Sequence, residues 1–311
     1  MISKYPDYLR ISLLSACNLR CNYCQPVTNR KGIIVAPYDK VRSAIRFLHR
    51  SGIRKIRFTG GEPTLSKSLP GLVSFVKEMD SRVHVAVTTN GVLLTSLAST
   101  LSAAGLDSVN ISLDTLDPIK FRALTGTDKL NQVISGIDTA KQYIGSIKLN
   151  CVLIRGFNDS EVEKLTLFAD SRRLDIRFIE FMPNRYGAPG DSRFITSEEV
   201  RNRLPWQFRA VPVEPDSAAR YFTDPSLGIK VGFISSVSHP FCTGCNRIRL
   251  AADGLLYTCL YNSSNINLFD LLSGDIQETQ AEFARLIRSK LFLGCRSSLD
   301  CLLPSFSAIG G

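Results

Sequence analysis

At 311 residues with a formal net charge of +10, the chain is long enough for one large domain and a smaller one, with an ample core. Its 44% hydrophobic and 21% charged residues are those of an ordinary globular protein and exclude a disordered or fibrous chain. No apolar run reaches membrane-spanning length, and nine cysteines in such a chain argue for metal or catalytic chemistry rather than a disulfide framework. The first strand pattern starts within about eight residues of Met1, which leaves no room for a signal peptide, so cytoplasmic residence is the expectation. The basic charge has a bland meaning, solubility or nonspecific nucleic-acid affinity, and a sharper one, an anionic substrate.

In chain order, Leu9–Leu14 reads as a short apolar strand and runs straight into Ser15-Ala-Cys17-Asn-Leu-Arg-Cys21-Asn-Tyr23-Cys24. Three thiolates at this spacing on one loop hold three irons of a [4Fe–4S] cube and leave the fourth iron open to a small molecule. A zinc knuckle would need a fourth Cys or His nearby, and none is present. A helix pattern over Pro37–Arg50 leads to a strand at Lys55–Thr59 that ends in Gly60-Gly61-Glu62-Pro63. The alternation continues with helices at Leu69–Met79, Leu93–Ala104, Leu130–Ile144 and Glu161–Asp170. Strands fall at His84–Thr89, Ser108–Leu113, Lys148–Ile154 and Asp175–Phe181.

Alternating strands and helices imply parallel pairing with right-handed crossovers. Six units are too few for a closed eight-stranded barrel, so the expectation is an α/β fold, an open partial (β/α)6 TIM-type barrel. Its chemistry-bearing residues gather at strand carboxyl ends: the cysteines after the first strand, Gly-Gly-Glu-Pro after the second, and Thr88-Thr89-Asn90 at the third.

After Pro183 the rhythm changes, through Asn-Arg-Tyr-Gly-Ala-Pro-Gly, to short strands and helices near Leu268–Ser273 and Glu278–Ser289. Residues 1–183 are therefore expected to form the barrel, and 184–311 a smaller α+β domain that caps it. This second part carries another cysteine set, Cys242, Cys245 and Cys259, with Arg247 and Arg249 directly after the first pair. Zinc stays open here, because His239, Cys295 or Cys301 would complete a tetrahedron. A second open-sited cluster is favoured by the first triad in the same chain. Cys151, inside an apolar strand, reads as a core thiol; Cys295 and Cys301 read as spare, and His49 and His84 as structural.

The first cysteine triad followed by Gly-Gly-Glu-Pro resembles the radical S-adenosylmethionine (SAM) superfamily. Further stretches carry a resemblance over nearly the whole chain: Ser112-Leu-Asp-Thr-Leu-Asp, Leu124-Thr-Gly, Lys148-Leu-Asn-Cys-Val-Leu-Ile-Arg-Gly-Phe-Asn-Asp, Arg177-Phe-Ile-Glu-Phe-Met-Pro, Gly232-Phe-Ile-Ser-Ser-Val-Ser-His and the terminal Ile309-Gly310-Gly311. They are similar to the GTP 3′,8-cyclase (MoaA) family, which begins molybdenum-cofactor biosynthesis.

The resemblance implies two [4Fe–4S] clusters, one on Cys17, Cys21 and Cys24 and one on Cys242, Cys245 and Cys259. It implies SAM on the first open iron, contacted by Tyr23, Gly61, Ser112 and Met182. Arg10, Arg57, Thr88, Lys148, Arg247 and Arg249 match positions that contact GTP, with Lys55 and Arg177 as additional members. Forked guanidinium donors suit a triphosphate. Arg247, Arg249, Gly310 and Gly311 are the expected catalytic positions. The implied reaction takes hydrogen from C3′ of GTP and closes the ribose onto C8 of the purine. Implied partners are a flavodoxin- or ferredoxin-type electron donor and a downstream cyclic pyranopterin-forming enzyme, with no membrane or nucleic-acid partner; a homodimer is compatible.

Some positions depart from the family pattern. Ala16 stands where an arginine is common, Gln25 where methionine is usual, and Ser66 replaces an arginine. The tail lacks a basic stretch before its glycines. These departures spare the cluster cysteines and the arginines above and bear on substrate affinity. The rival reading is a paralogous radical SAM enzyme acting on another nucleotide or a peptide. A non-catalytic metal or nucleic-acid binder would have no use for Gly-Gly-Glu-Pro beside an open-sited triad.

Overall fold

A computed structural model describes residues 5–24, 32–182, 191–214, 217–260 and 265–293. The first part alternates β1 (Tyr8–Ser12), α1 (Tyr38–Arg50), β2 (Lys55–Thr59), α2 (Leu69–Met79), β3 (His84–Thr89), α3 (Leu94–Ala103) and β4 (Ser108–Ser112). It continues with α4 (Pro118–Thr125), α5 (Leu130–Tyr143), β5 (Ser146–Leu153), α6 (Val162–Ser171) and β6 (Asp175–Glu180). These strands lie side by side in chain order, every pair parallel. The expected strands and helices all occur, with ends shifted by a residue or a few; α4 is additional.

The later elements are α7 (Ser197–Arg201), β7 (Arg209–Val211), β8 (Arg220–Thr223), β9 (Val231–Ile234), β10 (Arg247–Leu250), β11 (Leu255–Tyr257), β12 (Asn265–Asn267), α8 (Leu268–Leu271) and α9 (Ile276–Leu293). They extend the same sheet at both edges. β10 adds parallel to β1, with β11 and β12 antiparallel beyond it; β9 adds parallel to β6, with β8 and β7 beyond it. Among the described residues the result is an open sheet of 12 strands. No helix among the described residues is long and apolar enough to cross a membrane.

Strand alternation gives the sheet two chemically different faces. Leu9, Ile11, Ile56, Phe58, Val85, Val87, Val109, Ile111, Leu149, Ile176 and Phe178 are buried in one core with the apolar stripes of the helices, such as Val41, Ile45 and Leu48 of α1. Cys151 belongs to this core, as expected of a strand thiol. The opposite parity carries Tyr8, Arg10, Lys55, Arg57, Thr88, Asn110, Lys148, Asn150, Arg177, Arg247 and Arg249. Packed barrels of this type fill that space with branched apolar side chains. Here it is a basic, polar concavity: the Arg177 guanidinium on β6 feels Arg57 and Tyr8, and the Lys55 ammonium on β2 feels Lys148 on β5, so the sheet curls its far strands toward one another.

Candidate active site

The first cysteine loop is fixed by the Gly-Gly-Glu-Pro segment beside it. Gly61 N–H donates to Leu14 O at 2.7 Å and Glu62 N–H to Ala16 O at 2.8 Å. The approach leaves no room for side chains: a Cβ on Gly61 would lie 2.0 Å from Ala16 O, and one on Gly60, at φ +143°, 2.6 Å from Leu14 O. Ala16 therefore contributes its carbonyl to this contact, whatever side chain stands there.

Glu62 is buried and gathers the surrounding loops. One carboxylate oxygen accepts from Thr64 N–H at 3.0 Å, Thr64 Oγ1 at 2.6 Å and Thr89 Oγ1 at 2.7 Å; the other accepts from Asn90 N–H at 2.7 Å. Burial pushes its carboxyl up, and these donors pull it back. Asn90, so held, donates to Asn18 Oδ1 at 2.7 Å and to Cys17 Sγ at 3.7 Å, while Leu19 N–H donates to the same sulfur at 3.4 Å. On the other side of the loop, Tyr23 Oη donates to Asp114 Oδ2 at 2.6 Å, and Val152 N–H donates to Asp114 Oδ1 at 2.8 Å. Burial raises the Asp114 carboxyl to about 6 against the pull of those two donors. Ser112 ends β4 and Met182 follows β6, both half-buried at the same carboxyl end of the sheet.

The three loop cysteines are free. Burial, joined by the neighbouring thiols and Asp114, raises Cys21 and holds Cys24 up at about 12; burial raises Cys17 as well. Thiols so placed become thiolates when a cation replaces their protons. Among the described residues no three His, Cys, Asp or Glu side chains close on one point, as a single zinc ion requires. A cubane takes one thiolate on each of three irons and needs no such convergence.

Below this loop lies the basic wall. Arg57 Nε donates to Tyr8 Oη, and its Nη1 donates to Val87 O at 3.0 Å and Thr88 Oγ1 at 3.2 Å. Arg177 Nε donates to Asn150 Oδ1 at 2.9 Å, and its Nη2 is buried with no hydrogen-bond partner among the described residues. Lys148 Nζ lies 3.9 Å from Asp175 Oδ2 and 3.4 Å from Tyr221 Oη. Burial alone would raise Tyr8, but Arg57, Arg10 and Lys55 outweigh it and bring the phenol down to about 7. Burial and Arg10 lower Arg249 to about 9, against the opposing pull of Cys259 and Cys245. A buried donor without a partner, in a wall of cations strong enough to draw a phenol toward its anion, leaves this surface able to take up negative charge.

Tyr8 and Tyr221 are part of this wall and were not anticipated from the sequence. Tyr8 stands two residues before Arg10 on the same strand face, which is the signal that would have found it.

The second cysteine set lies at the opposite end of the sheet. Cys242 and Cys245 bound a tight turn, with Cys245 N–H donating to Cys242 O at 3.1 Å, immediately before β10. Antiparallel pairing of Arg249 with Tyr257 returns the chain, so Cys259, after β11, reaches the same end as Cys245. Because β10 runs parallel to β1, that end is the one where β1 begins, whereas Cys17 follows the end of β1. At about 3.3 Å per residue the five residues of β1 span roughly 16 Å. Arg10, Arg57, Arg247 and Arg249 fill that interval.

Glu180, buried at the end of β6, accepts from Ser197, Val237 and Ser238 N–H at 2.9 Å each and so fixes the segment leading toward Cys242. His239 is exposed there and meets the Ser238 hydroxyl at 3.2 Å. Gln25, Cys295, Cys301, Gly310 and Gly311 lie outside the described residues.

Sequence comparison now bears on this geometry. The radical SAM superfamily profile matches residues 11–169, and the Molybdenum Cofactor Synthesis C profile matches 174–292. GTP 3′,8-cyclase of Peptoclostridium acidaminophilum is 41% identical over 84% of this chain and 82% of its own length. The GTP 3′,8-cyclase of Alkaliphilus oremlandii is 35% identical over 93% and 92%. The chain belongs to the GTP 3′,8-cyclase family of the radical SAM superfamily.

Molybdenum cofactor biosynthesis protein 1 of Drosophila melanogaster is 38% identical over 86% of the chain, but the chain spans about half, 49%, of that longer relative. Among solved structures, Streptococcus suis SuiB bound to S-adenosylmethionine superposes with a TM-score of 0.69 over 96% of this chain and 71% of its own, at 15% identity, a likeness of fold alone. Membership of the radical SAM superfamily implies SAM and a [4Fe–4S] cluster, and the free, half-buried triad with N–H donors on Cys17 Sγ has the chemistry to hold one.

Proposed function

We propose that this chain converts GTP to (8S)-3′,8-cyclo-7,8-dihydroguanosine 5′-triphosphate, the first step of molybdenum-cofactor biosynthesis. The observation that carries the reading is a basic wall strung between two cysteine sets at opposite ends of one parallel strand. Cys17, Cys21 and Cys24 hold the first cluster; Gly61, Tyr23, Ser112 and Met182 form the rim that receives SAM. When bound, cluster and SAM together supply one-electron cleavage of the sulfonium bond and a 5′-deoxyadenosyl radical.

The protein's own work is placement. Arg10, Lys55, Arg57, Lys148, Arg177, Arg247 and Arg249 neutralise and orient the triphosphate, with Thr88 as a polar neighbour. Held this way, C3′ faces the first loop and the purine faces the second, where Cys242, Cys245 and Cys259 hold a second [4Fe–4S] cluster with an open iron. Fixing ribose and purine in one geometry supplies much of the rate, because a loosely held nucleotide rarely meets the radical in register. Gly310 and Gly311, outside the described residues, are assigned a catalytic role by the family resemblance alone. Residues 1–183 hold the first cluster, SAM and the barrel cations that meet the triphosphate, and residues 184–311 add the second cluster with Arg247 and Arg249. The reading places the enzyme in the cytoplasm, supplied with electrons by a flavodoxin- or ferredoxin-type donor and followed by a cyclic pyranopterin-forming enzyme.

The test is anaerobic reconstitution followed by SAM, reductant and GTP deuterated at C3′. Deuterium in 5′-deoxyadenosine together with a cyclised triphosphate is the expected result. Unlabelled 5′-deoxyadenosine without nucleotide product would remove GTP as the substrate.

A further inference from the structure

The last helix carries a cation that the reaction as described does not use. Lys290 lies in the final turn of α9, where a lysine ordinarily reaches solvent and the helix carbonyls. Here it is 7% exposed. Its Nζ donates to Thr258 O at 2.9 Å and stands 4.0 Å from Cys245 Sγ. Both partners belong to the second cysteine set: Cys245 closes the turn before β10, and Thr258 immediately precedes Cys259.

Among the described residues no Asp or Glu pairs with this ammonium, which meets one carbonyl and one sulfur. A buried ammonium is costly unless an anion faces it. A neutral thiol is a weak acceptor and supplies no charge; an iron-bound thiolate supplies it. Arg249, buried on β10 and coupled to Cys259 and Cys245, is a second cation at the same sulfurs.

We propose that Lys290 is a positioning residue of the second cluster, its ammonium donating to the Cys245 thiolate and tying α9 to the Thr258–Cys259 backbone. This inference rests on the second-cluster reading. Hydrogen bonds and positive charge at a cluster sulfur favour the reduced state, so Lys290 raises the potential of that cluster and strengthens its retention. Without iron the same ammonium is an uncompensated buried charge, so the residue opposes folding of the metal-free chain.

The experiment compares the full chain with K290M, which keeps the aliphatic stem, and K290R, which keeps the charge. Iron content, EPR-monitored redox titration and thermal unfolding are measured with and without iron. The reconstituted parent should hold about eight irons in two cubanes. K290M should keep the first cluster, and its second should be lost or titrate at a lower potential; K290R should restore the parent value. Stripped of iron, K290M should unfold at a higher temperature than the stripped parent.

A parent that holds only about four irons would overturn the second-cluster reading itself. Two clusters in the parent, with K290M showing unchanged iron content and potential, would overturn the role of Lys290 alone. A metal-free K290M that is less stable than the parent, or unfolded, would overturn it too, since the residue would then be a structural one.

Discussion

Gly61 illustrates how little side chain the first site tolerates. Its neighbours are backbone atoms of Ser15 and Ala16, which cannot swing away as a flexible side chain would, and a Cβ would lie 2.0 Å from Ala16 O. Gly61→Ala should therefore push the cysteine loop off β2 and cost about 1–3 kcal/mol, the usual range for overpacking. Denaturant unfolding of the metal-free chain measures the cost, and iron content after reconstitution should drop with it. Tyr8 makes the complementary point in the basic wall, where charge dominates shape. Its phenol, brought to about 7, is half ionised near neutrality, whereas an unfolded tyrosine keeps its proton to about 10. Between those values the unfolded chain binds the extra proton, so the contribution of Tyr8 to stability grows from about pH 7 to pH 10 and is absent below. For an incoming triphosphate the sign reverses, because a phenolate repels it. GTP affinity, followed by calorimetry, should weaken above about pH 7, by at most tenfold per pH unit, and Tyr8→Phe should flatten that slope. An unchanged slope in the variant would mean another group titrates.

At the scale of elements, buried carboxylates at strand ends do the joining. Glu62 ties the turn after β2 to the end of β3, Asp114 ties the cysteine loop to β5, and Glu180 ties β6 to α7 and the 237–238 segment. Glu62→Gln keeps the volume and, with its oxygen on the side of Thr64 and Thr89, turns its amide nitrogen toward Asn90 N–H, so that one bond becomes two donors face to face. Loss of about 1–3 kcal/mol is expected, together with weaker protection of the Asn90 amide in hydrogen exchange. The elements so joined were legible in the sequence, but the carboxylates that join them were not. The repeating strand and helix periods gave β1 to β6 and their helices because each is amphipathic over its whole length. α4 also had its signals, Asp117 accepting from Ile119 and Lys120 N–H, Pro118 at the first position and Gly126 at φ +70°. It is short, with a weak apolar stripe, so period alone passes over it. The pairing of β10 with β1 and of β9 with β6 joins segments far apart in the chain, and no local pattern announces such contacts. Lys290 was illegible for the same reason: its partners lie 32 and 45 residues away.

For the whole molecule, the open sheet sets two chemical ends apart and puts the cations between them. The cysteine triads and the arginines could be named from the sequence, but not the polarity that sends one triad to the carboxyl end of β1 and the other to its beginning. That polarity has a consequence which no single residue carries. If bond cleavage belongs to the first end and nucleotide placement to the second, the two are separable. Replacing Cys242, Cys245 and Cys259 together by alanine leaves Glu62, Asn90, Tyr23 and Asp114 untouched around the first loop. Such a variant should still form 5′-deoxyadenosine from SAM within a few-fold of the parent, since nothing that holds the first loop has changed. Cyclised nucleotide should fall by at least about 10³-fold, because an unanchored purine forfeits most of the orientation that effective molarities of this kind represent. Mass spectrometry of both products in one reaction gives the ratio directly. A parallel loss of both would show that the second end supports the first loop mechanically, through β10 and β1, rather than placing the nucleotide.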